Sequence, residues 1–138
     1  MRLLGIDFGM RFLGLALAEG DVASPLTSID SRNWESAAFE LIKIIVGSDV
    51  EKIIIGYPLS SDGAINPQST LTQKFAQFLK RRSSLPICLF PESYSSQEAL
   101  ARSIDLDTPA HARRHLDSMA ATIILERYLL KSEDAILV

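Results

Sequence analysis

The 138 residues carry 47% apolar side chains and a net charge of −3, enough for one domain, residues 1–138, with one sustained core. The lone cysteine, Cys88, excludes an intrachain disulfide and sits in the apolar run Ile87-Cys88-Leu89-Phe90, as a core thiol does. No aliphatic run approaches the roughly 20 residues that span a bilayer. Asp7 and its flanking glycines stand where a secretory leader keeps its apolar stretch, so a soluble, cytoplasmic chain without a membrane partner is expected.

Arg2 to Phe8 reads as a strand, Gly9-Met10-Arg11 as a tight connection and Phe12 to Ala18 as a second, antiparallel strand. A third falls within Val22 to Ile29, where Pro25 indicates an edge or a bulge. Ala37, Ala38, Leu41, Ile42, Ile45 and Val46 recur at helical spacing from Trp34, with Ser31 or Asn33 as N-cap and Gly47 as stop. Lys52 to Gly56 is a branched run of the kind buried on both faces. A polar loop then leads to a helix over residues 69–82, and Pro86 to Phe90 forms a fifth strand. Ser95-Ser96-Gln97-Glu98 has the form of a capping box and opens a helix to Ser103; a last, deeply packed helix covers residues 114–130. Right-handed crossovers place strand four beside strand one and strand five beyond it. The expected result is an α/β fold with a mixed five-stranded sheet, order 3-2-1-4-5, flanked by helices.

Strand alternation sets Leu4, Ile6 and Phe8 on one face and Leu3, Gly5 and Asp7 on the other, so Asp7 is a carboxylate in a central strand. Burying it costs several kcal/mol, roughly, unless it is paired, hydrogen-bonded or bound to a cation. Glu92 is expected just past the end of strand five, where open sheets carry functional groups, and Asp117 in the first turn of the last helix. Each has a plainer reading: Asp7 as a turn carboxylate held by backbone N–H groups, Glu92 as a solvated loop residue, Asp117 as a partner of the helix dipole. Together they form a candidate catalytic and metal-binding set of Asp7, Glu92 and Asp117, whose oxygens suit Mg²⁺ or Mn²⁺ and whose chemistry is phosphodiester hydrolysis. His111 and His115 lie in no metal-ligand spacing, and no Ser/His/Asp arrangement is identifiable. The net charge argues against coating nucleic acid by bulk electrostatics. Local cations remain at Arg11, Lys80 and Arg113-Arg114, as candidate nucleic-acid contacts or as solvated helix ends.

Gly5-Ile6-Asp7-Phe8-Gly9 with Arg11 and Gly14-Leu15-Ala16, Ile55-Gly56-Tyr57-Pro58-Leu59 with Asp62-Gly63, Pro91-Glu92-Ser93 with Ser95-Ser96-Gln97-Glu98-Ala99, and Leu116-Asp117-Ser118-Met119-Ala120-Ala121 form an ordered set. In that order, across nearly the whole chain, they resemble the YqgF/RuvX family. The resemblance implies an RNase H-like fold related to the RuvC Holliday junction resolvases. It also implies that Asp7, Glu92 and Asp117 match the family's acidic residues. The implied activity is that of an Mg²⁺- or Mn²⁺-dependent endonuclease processing the 5′ end of pre-16S rRNA in ribosome biogenesis. The implied partners are pre-rRNA or branched DNA and ribosomal particles, met as a monomer or weak homodimer. Alternatives are a Holliday junction resolvase or a non-catalytic RNA- or ribosome-binding factor.

The chain departs from the family pattern at Pro91-Glu92-Ser93, where the family usually has Asp-Glu-Arg, at Met10 for a common threonine, and at Leu71-Thr72-Gln73, a region that often carries arginine. Ala120 and Ala121 cannot supply the fourth carboxylate of the resolvase relatives. Gly-x-Asp-x-Gly before a second strand also resembles the phosphate loop of actin-like ATPases, but 138 residues provide only one of the two lobes that close around ATP.

Overall fold

The computed structural model describes residues 1–93 and 110–138. The helix expected from Ser95 lies outside them. The chain order is β1 (Arg2–Phe8), β2 (Phe12–Glu19), β3 (Val22–Asp30), α1 (Trp34–Gly47), β4 (Lys52–Leu59), α2 (Pro67–Lys80), β5 (Ile87–Ser93), α3 (Ala110–Leu130), a 3-10 turn at Ser132–Asp134 and β6 (Ile136–Leu137).

These strands make one mixed sheet in the order β3-β2-β1-β4-β5-β6. The expected order holds over its first five strands, but the sheet has six. The sequence reading missed β6, whose two residues pair antiparallel with β5 through Cys88↔Leu137 and Leu89↔Ile136. A two-residue strand has no periodicity to read. Pro25 does sit on the edge strand, opposite the register shift between Leu15 and Ala16.

Of the two candidate caps, Asn33 opens α1, its side chain accepting a bond from the Ser36 N–H. Ala37, Ala38, Leu41 and Ile45 are buried there, whereas Val46 is 72% exposed. α2 opens two residues before its expected start, because Asn66 caps it and Pro67 fits a first-turn position that needs no N–H donor. Strand β4 continues past Gly56 through Pro58. Pairing with β1 ends at Ile6↔Ile55, so the missing N–H of Pro58 breaks no ladder on that side.

Helices α1 and α2 cover one face of the sheet. There Leu4, Ile6, Phe8, Leu13, Ile53, Ile55 and Leu89 meet Leu41, Phe75, Ala76 and Leu79. Helix α3 covers the other, where Leu3, Ala16, Ala18, Ile54, Cys88 and Phe90 meet Ala121, Ile124, Leu125 and Tyr128. α3 crosses the strands obliquely. A Cβ on Gly14 of β2 would stand 2.0 Å from the backbone oxygen of Asp117, and one on Gly56 of β4 would stand 2.4 Å from the Ile124 side chain. Only glycine admits a helix that close.

Candidate active site

Strand alternation carries Asp7 onto the α3 face with Leu3 and Gly5, near the C-terminal end of β1. The turn beyond it is fastened from three directions: Gly9 N–H donates to Phe12 O (3.1 Å), Ser31 Oγ to Gly9 O (2.7 Å) and Gln68 Nε2 to Phe8 O (3.1 Å). Asp7 pairs with Gly14, and the Asp117 backbone rests on Gly14, so the two carboxylates come from adjacent positions across the β1–β2 ladder.

Two expectations about the other acids are corrected. Glu92 is no loop residue: β5 runs on to Ser93 because Tyr57↔Pro91, Pro58↔Glu92 and Leu59↔Ser93 continue its pairing with β4. By alternation with Cys88 and Phe90 it faces α3, and it is 4% exposed. Asp117 is not in the first turn of its helix. α3 begins at Ala110, so Asp117 lies about two turns in, beyond the reach of the helix-end dipole.

Asp7 stands between the other two. Burial, and then the negative charges of Asp117 and Glu92, push its carboxyl from 3.8 up to about 7. Burial alone lifts Asp117 from 3.8 to about 6. Glu92 is also raised by burial, against the opposing pull of Arg127, whose Nη1 donates to Glu92 Oε2 at 2.7 Å. The second oxygen, Oε1, is buried with no hydrogen-bond partner among the described residues. Strand β4 separates Asp7 from Glu92, and Glu92 pairs two residues beyond the level of Asp7, which puts their backbones about 12 Å apart. Among the described residues no three His, Cys, Asp or Glu side chains are gathered tightly enough to hold a metal ion together. The three acids thus share one face and one end of the sheet, in a row centred on Asp7.

The basic candidates divide. Arg11 is exposed in the turn after β1, its guanidinium 5.4 Å from the centre of the Phe12 ring. Arg113 and Arg114 lie on the turn of α3 that precedes Asp117. Lys80 ends α2, which runs back along the opposite face, and it lines a cleft with Gln73, Gln77, Arg81, Leu89 and Leu137, away from the acids. Two residues at the site were not singled out by the sequence. Arg127 and Gln68 reach partners 35 and 60 positions away, and no local pattern encodes such contacts.

Comparison with known proteins agrees with this architecture. Residues 1–131 match the family model described as "RuvX: Holliday junction resolvase". A Chloroflexus aurantiacus protein named "Putative pre-16S rRNA nuclease" is 33% identical over 131 residues, covering 92% of this chain and 85% of its own. A Geobacillus protein of the same name is 34% identical over 134 residues, covering 94% and 97%. Among solved structures, Thermus thermophilus RuvC in complex with a Holliday junction superposes with a TM-score of 0.59 at 14% identity, covering 100% of this chain and 99% of its own, a likeness of fold. The match along nearly its full length, with relatives a third identical, makes this chain a member of the RuvX family.

Proposed function

We propose that this chain is a divalent-metal-dependent endonuclease that hydrolyses phosphodiester bonds, and that its substrate is the 5′ end of precursor 16S rRNA. The observation that carries the reading is the row of Asp117, Asp7 and Glu92 on one face and end of the sheet, with the Asp7 carboxyl pushed up to about 7 by burial first and by its acidic neighbours second. Like charges brought together under burial favour protons or a cation. The donor set fits Mg²⁺ or Mn²⁺ in its chemistry: all are hard oxygens, and Glu92 Oε1 is a buried acceptor without a partner among the described residues. Asp7, Asp117 and Glu92 Oε1 would hold the ion by closing on it from the row, since as they stand no three described acids are gathered tightly enough to hold one. Bound there, it would supply Lewis-acid charge and a more acidic water.

The chain's own residues do the rest. Gly14 lets Asp117 approach Asp7, and the bonds from Ser31 and Gln68 keep the β1 end in place. Arg11, Arg113 and Arg114 lie at the acidic end, where they would take phosphates flanking the reacting one. Lys80 is placed for a remote stretch of the nucleic acid only. No helix among the described residues is long and apolar enough to cross a membrane, and a cytoplasmic site of action, as monomer or weak homodimer at ribosomal particles, goes with this reading.

Branched DNA is the second substrate to test, because the family description names Holliday junctions. The deciding experiment offers a precursor rRNA fragment and a four-way DNA junction side by side, with Mg²⁺, with Mn²⁺ and with chelator. Metal-dependent cleavage of the rRNA alone is expected. Tight metal-independent RNA binding without cleavage would instead identify a non-catalytic RNA- or ribosome-binding factor.

A further inference from the structure

Neither sequence neighbour of Glu92 is basic, since Pro91 and Ser93 flank it. The fold supplies the charge from 35 positions along the chain, where Arg127 Nη1 meets Glu92 Oε2 at 2.7 Å. The glutamate side chain is 3% exposed and the arginine side chain 44%, so the guanidinium reaches inward from the solvent-facing flank of α3. A glutamate has three side-chain torsions. Anchoring one of its oxygens to a packed helix fixes where the other points. That other oxygen, Oε1, is buried and has no hydrogen-bond partner among the described residues, on the same face as Asp7.

We infer that Arg127 is a positioning residue of the carboxylate site: it holds Glu92 by Oε2, so that Oε1 is the single oxygen Glu92 presents toward Asp7. Arg127 makes no contact with the reacting atoms in this account. It acts through Glu92, and α3 thereby sets two of the three acids, one by carrying Asp117 and one by steering Glu92. The inference rests on the nuclease reading for its activity measurement only.

The test uses the full chain and its Arg127→Gln, Arg127→Lys and Glu92→Gln variants, with the double variant Arg127→Gln/Glu92→Gln. Mn²⁺ binding is titrated without substrate, and Mn²⁺-dependent kcat and KM are measured on a precursor rRNA fragment. Arg127→Gln is expected to weaken Mn²⁺ binding and lower kcat about 10- to 100-fold, as loss of a ligand-orienting partner does, with KM for RNA unchanged. Arg127→Lys should restore much of both. The double variant should be no worse than Glu92→Gln, because both changes remove the same oriented oxygen. An arginine that gripped RNA directly would raise KM and add to Glu92→Gln. One with only a structural role would lower Tm and leave Mn²⁺ affinity and the kcat of folded protein alone. Either result overturns the inference. A wild type that binds Mn²⁺ but cuts no RNA defeats the nuclease reading, while the Arg127→Gln titration still decides on Arg127. A wild type that binds no Mn²⁺ defeats both.

Discussion

Under α1 and α2 the sheet meets aromatic bulk: Phe75 stacks on Phe8 at 5.0 Å between centroids and meets Trp34 edge-on at 5.3 Å. Under α3 the aromatic contact among the described residues is confined to Phe90 and Tyr128, 6.1 Å apart, and toward the acids the sheet offers glycine, alanine and carboxylates, with the helix backbone coming down onto Gly14. Large side chains hold layers apart and gain contact area. Small ones let backbones approach and leave polar groups within reach of one another. On the proposed reading, stability and chemistry fall on opposite sides of the same strands, so changes on the two faces should produce opposite effects.

The sharpest separation is Asp7→Asn, which should lower cleavage by on the order of a thousandfold or more while the fold persists. Asp7 and Asp117, raised from 3.8 to about 7 and about 6, bind protons more tightly folded than unfolded. The stability this contributes is fully present below about pH 4 and is lost as pH rises through 6 and 7. In chelator, thermal unfolding of the wild type should fall across that window. Asp7→Asn should remove most of the fall and be the more stable protein at pH 8. If it melts lower and still cuts, Asp7 belongs to the structural face.

Phe75→Ala makes the reverse case. Phe75 is fully buried, and its loss should cost about 3–5 kcal/mol in denaturant unfolding, with kcat per folded molecule unchanged. A lost kcat in folded protein would show that the two faces are coupled. Gly14→Ala should injure both properties, since its Cβ would meet the Asp117 backbone oxygen at 2.0 Å. Pushing α3 away should cost about 1–3 kcal/mol and displace Asp117, detectable as a lower Tm together with weaker Mn²⁺ binding. The smallest effect belongs to the surface. Arg82 lies over the Phe78 ring at 3.6 Å and pairs with Glu35, whose side chain is 70% exposed. Glu35→Gln should change stability by less than about 1 kcal/mol, an effect that 0.5 M salt would mask.

The sequence made the β1-β2-β3 meander and α1 legible because alternation, turn residues and helical spacing are local signals. It made Asp7 legible because a charge inside an apolar strand is conspicuous. Glu92 was misplaced because the apolar run that marks strand five ends at Phe90, whereas pairing with β4 carries β5 on to Ser93. Asp117 was assigned too near its helix end because the helix was read from residue 114, whereas it continues back to Ala110. Arg127 was invisible for a different reason. In the sequence it is one more charge beside Glu126, and only the crossing of α3 over the sheet gives it a buried partner.

That crossing also sets the order in which the protein can become active. Arg127 follows Asp7 by 120 positions, so it leaves the ribosome well after it. The β1–β4 pairing can form meanwhile, with the α3 face still uncovered. A contact between distant segments can close only once both have been made. A nascent chain therefore has a sheet before it has an acidic site, and the chemistry waits until α3 has docked.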